Sequence, residues 1–311
     1  MVEDNEIKAQ VSPFAIREGE IKTFDGKDGY VSMNQIVHKI NIGHINEIHF
    51  AILDLVNEFE FITSRQLYQM LEIKGIDPKS QDKLNNKLDQ LVKSKILTRY
   101  YFTSDEGKGI YRIYCLEKMG KYLLNSKEID CKWQPSDNTK PVPMIKKRLA
   151  GNQTLIAYLR KVKAFDSYIV KPAITAKTAG KLFKASGGAV KLTKNNKSIQ
   201  FVFEVIRREQ DWEKKLVERM RLWKDFYENY VPGDSGFSSM PQLILICEDE
   251  KHMAETFKEI VKEQLEIPQI KLYFTTDLRQ NKETLEETLV EFKLVDGKYK
   301  MENVELKLLG M

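Results

Sequence analysis

The residues best suited to chemistry lie where an apolar segment ends and a run of charges begins. The segment SIQFVFEVI reads as a β-strand and places Glu204 shortly before Arg207 and Arg208. Such an acid can hold Mg²⁺ for phosphodiester chemistry only beside a second carboxylate, because one Glu alone cannot build a divalent metal site. The neighbouring strand, AVKLT, carries no carboxylate. We therefore expect no catalytic residue, with Glu204 the candidate only in a nuclease and otherwise paired with Arg207 or Arg208.

Other reactive residue types are scattered along the chain. Its three cysteines and four histidines are Cys115, Cys131, Cys247, His38, His44, His49 and His252. None of them forms the CxxC, HxH or HExxH spacings that bind zinc. The chain has no GxxxxGKS or GxxxxGKT sequence, Gly187-Gly188 is too short for a dinucleotide loop, and the histidine pair of rolling-circle nickases is missing. These patterns predict no metal and no cofactor.

The distribution of charge predicts a polyanionic partner. The whole chain carries a formal charge of +5, but residues 140–197 contain fourteen Lys and Arg against one acid, Asp166. From residue 248 onward, fifteen acids outnumber ten bases. A local excess of this size is typical of nucleic-acid binding, although a solvated basic face is the commoner alternative. We expect Lys146, Lys147 and Arg148, near the start of the basic stretch, to grip phosphates.

The elements that would position a DNA reader lie between residues 44 and 125. HFAILDLVNEF has helical apolar spacing, and Thr63 with Gln66 forms a capping-box pattern at the start of a second helix. A third helix is expected over about Lys79–Lys95, followed by two alternating strands, ILTRYYFT and GIYRIYCL, and a closing helix. Helices followed by a β-hairpin in this order resemble the winged helix-turn-helix fold.

The third helix would turn polar side chains away from the apolar arc of Leu84, Leu88, Leu91 and Val92. Amide and ammonium groups there can contact base edges and phosphates in a major groove. The residues expected to bind DNA are Lys79, Lys83, Asn86, Gln90 and Lys93 on this helix, and Arg99, Lys108 and Arg112 on the wing. A merely solvated face and a protein-docking role remain alternatives.

The segments on either side of this unit carry weaker signals. Residues 1–43 have little periodicity and are expected to form a loosely structured arm with no assigned role. Residues 126–148 contain three prolines among Ser, Asp and Asn, which predicts an extended linker without a core.

Residues 149–311 are expected to form an α/β domain with the order helix, three strands, helix, strand, helix, strand. LAGNQTLIAYLRKVKAF begins the series as a helix, and SYIVKPAI is expected to follow as a strand. GGAVKLT and SIQFVFEVI are expected to form a hairpin around NNK, and the continuous apolar run PQLILICED is typical of a buried parallel strand. This order resembles the restriction-endonuclease-like fold. The resemblance implies that an active member holds Mg²⁺ with an acid on the second core strand and with the Glu of a Glu-x-Lys on the third, whose Lys assists attack on phosphate. Here Ile206 stands at the lysine position. The whole chain is therefore expected to be an α+β winged helix-turn-helix domain followed by a non-catalytic α/β nuclease-like domain.

The segment FVFEVIRREQDWEKKLVERMRLWKDFYENY, with the PQLILIC strand after it, is similar to the replication-relaxation family of Gram-positive plasmids and integrative elements. The resemblance covers roughly residues 45–280. It implies a DNA-binding accessory role in relaxosome assembly during conjugation, or in plasmid replication, beside a relaxase or replication protein. This chain has Ile-Arg-Arg where such proteins more often have an acid after the glutamate.

The expected function is therefore sequence-specific binding of double-stranded DNA, with a homodimer left open. The alternatives are a Mg²⁺-dependent nuclease, a transcriptional regulator whose second domain senses a partner or ligand, and a replication initiator. An acidic start, no long apolar run and an odd number of cysteines favour the cytoplasm over secretion or a membrane.

Overall fold

The structure is a computed structural model that describes residues 12–105, 107–108, 111–281, 288–295 and 298–304. The first half of the chain contains, in order, β1 (Ile21–Phe24), α1 (Met33–Asn41), α2 (Glu47–Phe59), β2 (Ile62–Thr63), α3 (Ser64–Ile73), α4 (Gln81–Lys93), β3 (Leu97–Ser104), β4 (Gly107–Lys108), β5 (Ile113–Leu116), α5 (Lys118–Ser126) and a short 3₁₀ helix (Pro135–Thr139).

The second half begins with the longest helix that the described residues contain. Its elements are α6 (Val142–Lys161), β6 (Phe165–Ile169), β7 (Ala173–Ala176), β8 (Lys181–Lys184), β9 (Ala189–Lys194), β10 (Lys197–Val205), α7 (Trp212–Glu228), β11 (Gln242–Cys247), α8 (Glu250–Lys262), β12 (Leu272–Thr276), β13 (Val290–Val295) and β14 (Lys298–Asn303). Short 3₁₀ helices lie at Asp234–Gly236 and Arg279–Asn281. The fold is thus mixed α+β.

Two sheets organise these elements. In the smaller one the order is β1-β3-β5-β2, all antiparallel, and β4 pairs antiparallel with the last residues of β3. In the larger one the order is β14-β13-β12-β11-β10-β9-β6, and β10, β11 and β12 run parallel. The apolar run in β11 lies between two parallel neighbours, as its sequence predicts. Strands β7 and β8 form a separate hairpin.

Local signals set the ends of several helices where expected. The Thr63 hydroxyl accepts a hydrogen bond from the Gln66 backbone (3.2 Å), and the Gln66 side chain accepts one from the Thr63 backbone (3.1 Å), which completes the predicted capping box. Ser80 caps α4 by accepting from the Lys83 backbone (3.2 Å). The expected β9–β10 hairpin is also present.

The strand predicted over SYIVKPAI is instead two strands. Strand β6 ends at Ile169 and β7 begins at Ala173, so Pro172 lies in the break between them. Proline has no N–H to donate to a sheet, and after it the chain leaves the large sheet to pair with β8.

The prediction of an extended linker over residues 126–148 is wrong. Helix α6 begins at Val142, because Pro141 and Pro143 occupy the start of the helix, where proline is tolerated and its fixed φ is favourable. Ile145 is fully buried, so this segment belongs to a core.

Helix α6 joins the two halves of the chain. One apolar cluster runs from Ile36 and Leu53 through Leu149 to Phe201 and Ile246. A second cluster covers the other face of the large sheet and contains Trp223, Phe226, Leu243 and Phe274. Within the first, Asn152 Nδ2 donates to the Phe61 carbonyl (2.7 Å) and Gln66 Nε2 donates to the Leu149 carbonyl (2.8 Å). These contacts fix the first helices against the second half.

Residues 12–43 of the N-terminal arm form defined elements that pack against the rest of the fold, so the prediction of a loosely structured arm is wrong for these residues. Strand β1 pairs with β3, and α1 buries Ile36. The Tyr111 hydroxyl donates to the Pro13 carbonyl (3.0 Å), the Ile16 backbone donates to Glu248 (3.2 Å), and Ser12 bonds Asp277. The partners are distant in sequence, which explains why residues 12–43 show no local periodicity. Residues 1–11 lie outside the described ranges.

Within these ranges, no helix combines the length and the apolar character needed to cross a membrane.

Candidate nucleic-acid interface

Helix α4 presents one polar face to solvent. Its apolar arc, Leu84, Leu88, Leu91 and Val92, is buried. On the opposite side Lys83, Asn86 and Lys93 are exposed, and within the described part of the chain their side chains make no hydrogen bond or ion pair. These three residues are therefore available to a ligand.

Two other predicted contacts on this face already have partners. Lys79, just before the helix, forms an ion pair with Asp77 (2.8 Å), although both remain exposed. Gln90 Oε1 lies 3.0 Å from Nε2 of His49, a buried residue of α2. Burial lowers the pKa of His49, and the hydrogen bond that the imidazole donates to Gln90 opposes that shift only in part. Gln90 therefore helps to hold α4 against α2.

The wing arginines are tied to acids. Arg99 bonds Asp89 on α4 and lies 3.0 Å from Asp25, and Arg112 Nε lies 2.7 Å from the same Asp25 carboxylate. The sequence predicted wing arginines that are free to contact DNA. It gave no sign that Asp25, in the N-terminal arm, pairs with both of them. The Lys108 backbone lies in β4, but its side chain is outside the described residues.

Lys146 cannot grip a phosphate in this structure, which corrects the expectation. Its side chain is 2% exposed, its ammonium lies 2.5 Å from the Glu20 carboxylate, and it also donates to the Ala15 carbonyl. Burial lowers the pKa of Lys146, and Glu20 acts in the opposite direction. The residue is an internal anchor for the N-terminal arm.

Lys147 and Arg148 are also engaged inside the protein. Lys147 bonds Glu209, and the Arg148 guanidinium donates to the Val170 carbonyl (2.9 Å). Arg148 is 11% exposed, and burial lowers its pKa. The cause of the discrepancy is the same as for Lys146: these positions lie in α6, not in an exposed linker.

Much of the remaining basic stretch is neutralised by acids from elsewhere. Glu60, at the end of α2, bonds Lys140 and Lys171 and lies 3.7 Å from Arg148. Burial raises the pKa of Glu60, but Lys171 and Lys140 outweigh it, so the net pKa is lowered. Among the described residues, the cations of the stretch without a hydrogen bond or ion pair from their side chains are Arg160, Lys163, Lys181, Lys184 and Lys197.

The carboxylate of Glu204 is buried and fully engaged. It accepts from Ser186 Oγ (2.7 Å) and Trp223 Nε1 (3.1 Å), and Arg219 Nε lies 3.1 Å away. Arg219 is thus its cationic partner; the predicted partners Arg207 and Arg208 instead bond Asp277 and Asp249. In the part of the chain that is described, no group of three or more His, Cys, Asp or Glu could hold a metal ion.

A cleft of about 1150 Å³ lies between the helices of the first half and α6. Side-chain amides line it: Gln69, Gln81, Asn85, Gln153 and Gln280. Cations also line it: Arg65, Arg99, Arg112, Arg160 and Lys161. Among the described residues, Asp89 and Asp277 are the acids that line it, against five cations, so the charge of this described lining is positive.

Sequence reasoning missed this cleft. Gln81 and Asn85 lie four residues apart on α4, and that spacing alone put them on one helical face. The opposite wall comes from α6 and from Gln280, almost 200 residues further along the chain. No local pattern connects walls so far apart in sequence.

No protein-family model matches the chain, and no curated protein matches it. Among solved structures, the chain is similar to the restriction endonuclease FokI, with 10% identity and a TM-score of 0.24. The match covers 75% of this chain and 42% of that chain, so this protein spans less than half of FokI. A likeness this weak carries no argument about fold or function.

Proposed function

We propose that residues 44–125 form a winged helix-turn-helix. The supporting observation is the order α2, β2, α3, α4, β3, β5, in which β2 pairs with β5 and so adds a third strand to the hairpin. In this arrangement α4 is the recognition helix and the β3–β5 hairpin is the wing.

We further propose that the protein binds double-stranded DNA in a sequence-dependent way through α4. The observation that carries this proposal is the exposed face of Lys83, Asn86 and Lys93, whose side chains are unpaired in the described residues. Asparagine can bond an adenine edge with two hydrogen bonds, and lysine can contact guanine or phosphate. A helix with these groups outward and its apolar side buried fits a major groove.

We propose that the second half of the chain has no catalytic role. Helix α6, strands β6, β9 and β10, then α7, β11, α8 and β12 follow the order of a restriction-endonuclease-like core. Its one candidate acid, Glu204, is held by Ser186, Trp223 and Arg219. We expect supercoiled DNA to stay intact with Mg²⁺ or Mn²⁺; cutting that the variant Glu204→Ala abolishes would contradict this.

The proposed setting is a mobile genetic element, in relaxosome assembly or plasmid replication beside a relaxase or replication protein. The support is the family resemblance carried by the β10–α7–β11 segment. If the setting is right, DNA fragments selected by the protein should cluster at a transfer or replication origin rather than ahead of its own gene, where a transcriptional regulator would bind.

The test of DNA reading is selection from a random duplex pool, followed by fluorescence anisotropy on the selected and a scrambled site. The double variant Lys83→Ala/Asn86→Ala should reduce the preference for the selected site by about 5- to 150-fold, the effect of losing base contacts of about 1–3 kcal/mol. The control variant Lys147→Ala, whose ammonium is bonded to Glu209, should keep the preference. Failure to enrich any site, or equal effects of both variants, would overturn the proposal.

A further inference from the structure

Two arginines at the cleft between α4 and α6 make no hydrogen bond or ion pair with any residue that the structure describes. Arg65 lies in the first turn of α3 and Arg160 in the last turn of α6, and both are exposed. Among the described residues neither makes a hydrogen bond or an ion pair. This sets them apart from Arg99 and Arg112, which are paired with acids. Arginines of this kind are suited to phosphate, which takes two parallel hydrogen bonds from one guanidinium.

The walls of the cleft also contain amide groups whose hydrogen bonds are incomplete. Gln280 is 5% exposed; its Oε1 accepts from Thr154, but its Nε2 has no partner in the described residues. Gln69 Oε1 is likewise buried without a partner there. A buried polar atom without a hydrogen bond costs about 1–3 kcal/mol. Residues that line the cleft thus leave one donor and one acceptor unpaired, which marks its wall as a place where polar groups are available.

The size and lining of the cleft select among ligands that combine phosphate with hydrogen-bonding groups. Its volume of about 1150 Å³ exceeds the range of about 300–1,000 Å³ that holds drug-sized ligands. That volume favours a segment of a polymer over a mononucleotide. Gln81, Asn85 and Gln153 line the walls, and in the described residues the Gln81 Oε1, Asn85 Nδ2 and Gln153 Nε2 atoms make no hydrogen bond. Such groups can bond the Watson–Crick edges of bases, which a single strand exposes and a duplex does not.

We propose that the cleft between α4 and α6 binds a single-stranded segment of DNA. Arg65 and Arg160 contact its phosphates, and the amides on the cleft walls contact its bases. Gln81 and Asn85 belong to α4 itself, so the single-stranded site adjoins the duplex-binding face. The inference rests on the proposed DNA-binding function and extends it, because the protein would then bind a junction between paired and unpaired DNA.

The test uses the full-length protein and fluorescence anisotropy with a random pool of single strands of roughly 20 nucleotides, a length sufficient to cover the cleft. The variant Arg65→Ala/Arg160→Ala should weaken single-strand binding by at least about tenfold, because two phosphate contacts are lost. Binding of the selected duplex should weaken by less than about threefold. Both residues are exposed, so we expect unchanged thermal unfolding, measured by circular dichroism.

The matched control is Arg221→Ala/Lys258→Ala, which removes two exposed cations on α7 and α8 that have no hydrogen bond or ion pair in the described residues. It should change single-strand binding by less than about threefold. A wild-type protein that ignores single strands, or equal losses in the cleft and control variants, would overturn the inference. The two proposals fail separately: cleft-dependent single-strand binding without any duplex preference would refute only the role of α4.

Discussion

Helix α4 and the basic stretch at residues 140–197 both carry cations that are predicted to contact DNA, but the structure places these cations differently. On α4, Lys83 and Lys93 point to solvent without a hydrogen bond or ion pair in the described residues. In the basic stretch, Lys146, Lys147 and Arg148 meet acids or carbonyl groups inside the fold. A helical face can be read from periodicity within a dozen residues, whereas the charge of a surface depends on which distant acids fold against it. The sequence of α4 has the smaller excess of positive charge, yet its lysines are the more accessible ones in the structure.

The largest expected effect concerns stability. The variant Lys146→Met should lower the free energy of unfolding by about 3–5 kcal/mol, because it leaves the buried Glu20 carboxylate without its ammonium partner. On α4 the matched variant Lys83→Met should change it by less than about 0.5 kcal/mol. Urea denaturation followed by tryptophan fluorescence measures both.

Adding Glu20→Gln to Lys146→Met sharpens the same contrast. Because the second substitution removes the stranded charge, the double variant should recover part of the lost stability. A Lys146→Met variant as stable as Lys83→Met would show that Lys146 is free, and the contrast between the two regions would collapse.

The second prediction concerns pH. The lowered pKa of Glu60 means that its ion pairs with Lys140 and Lys171 stabilise the fold fully above the ordinary Glu range, near about 4.3. This contribution is lost as the pH falls through the folded-state pKa. The variant Glu60→Gln should therefore lose on the order of 2 kcal/mol at neutral pH and show a smaller further loss on acidification.

The control for Glu60 is Asp54→Asn, whose exposed ion pair with Lys74 (3.7 Å) is expected to contribute less than about 1 kcal/mol. Denaturation curves from about pH 7 to pH 3 separate the two variants. Parallel curves for Glu60→Gln and the wild type would mean that Glu60 does not hold the basic stretch together.

The smallest effect tests the wing. The variant Asp25→Asn should release Arg112 toward phosphates, while Arg99 stays bonded to Asp89. It should tighten duplex binding by about two- to fivefold and steepen the dependence of binding on log salt by about one unit. The matched variant Asp166→Asn releases Lys191 in the basic stretch and should have a weaker effect. Equal tightening in both variants would indicate that the two regions bind DNA alike.

Much of the first half could be predicted because its signals are local. The Thr63–Gln66 capping box, the apolar arc of α4 and the alternation in β3 each lie within a few residues of one another, and each element appears where expected. The start of α6 was missed because prolines in a first helical turn look like a linker. The N-terminal arm was missed because its order comes from Tyr111, Glu248 and Asp277.

The candidate site was predictable only where it lies on one element. Lys83, Asn86 and Lys93 share a helical face and were predicted together. The cleft joins Arg65 with Arg160 and Gln280, and that proximity arises only when α6 packs against α3. The pairing of Glu204 with Arg219 is equally non-local, because it forms only when α7 packs against β10.

Helix α6 has a consequence for any attempt to divide the protein. Its buried side chains pack against apolar residues of both halves. If the chain were divided between residues 127 and 140, each fragment would expose part of a single apolar cluster. Heating should give one sharp unfolding transition rather than two, because unfolding of either half would expose the apolar surface of the other to water. Because each fragment needs the apolar surface of the other, the two fragments should associate and refold into the native structure when they are mixed in solution.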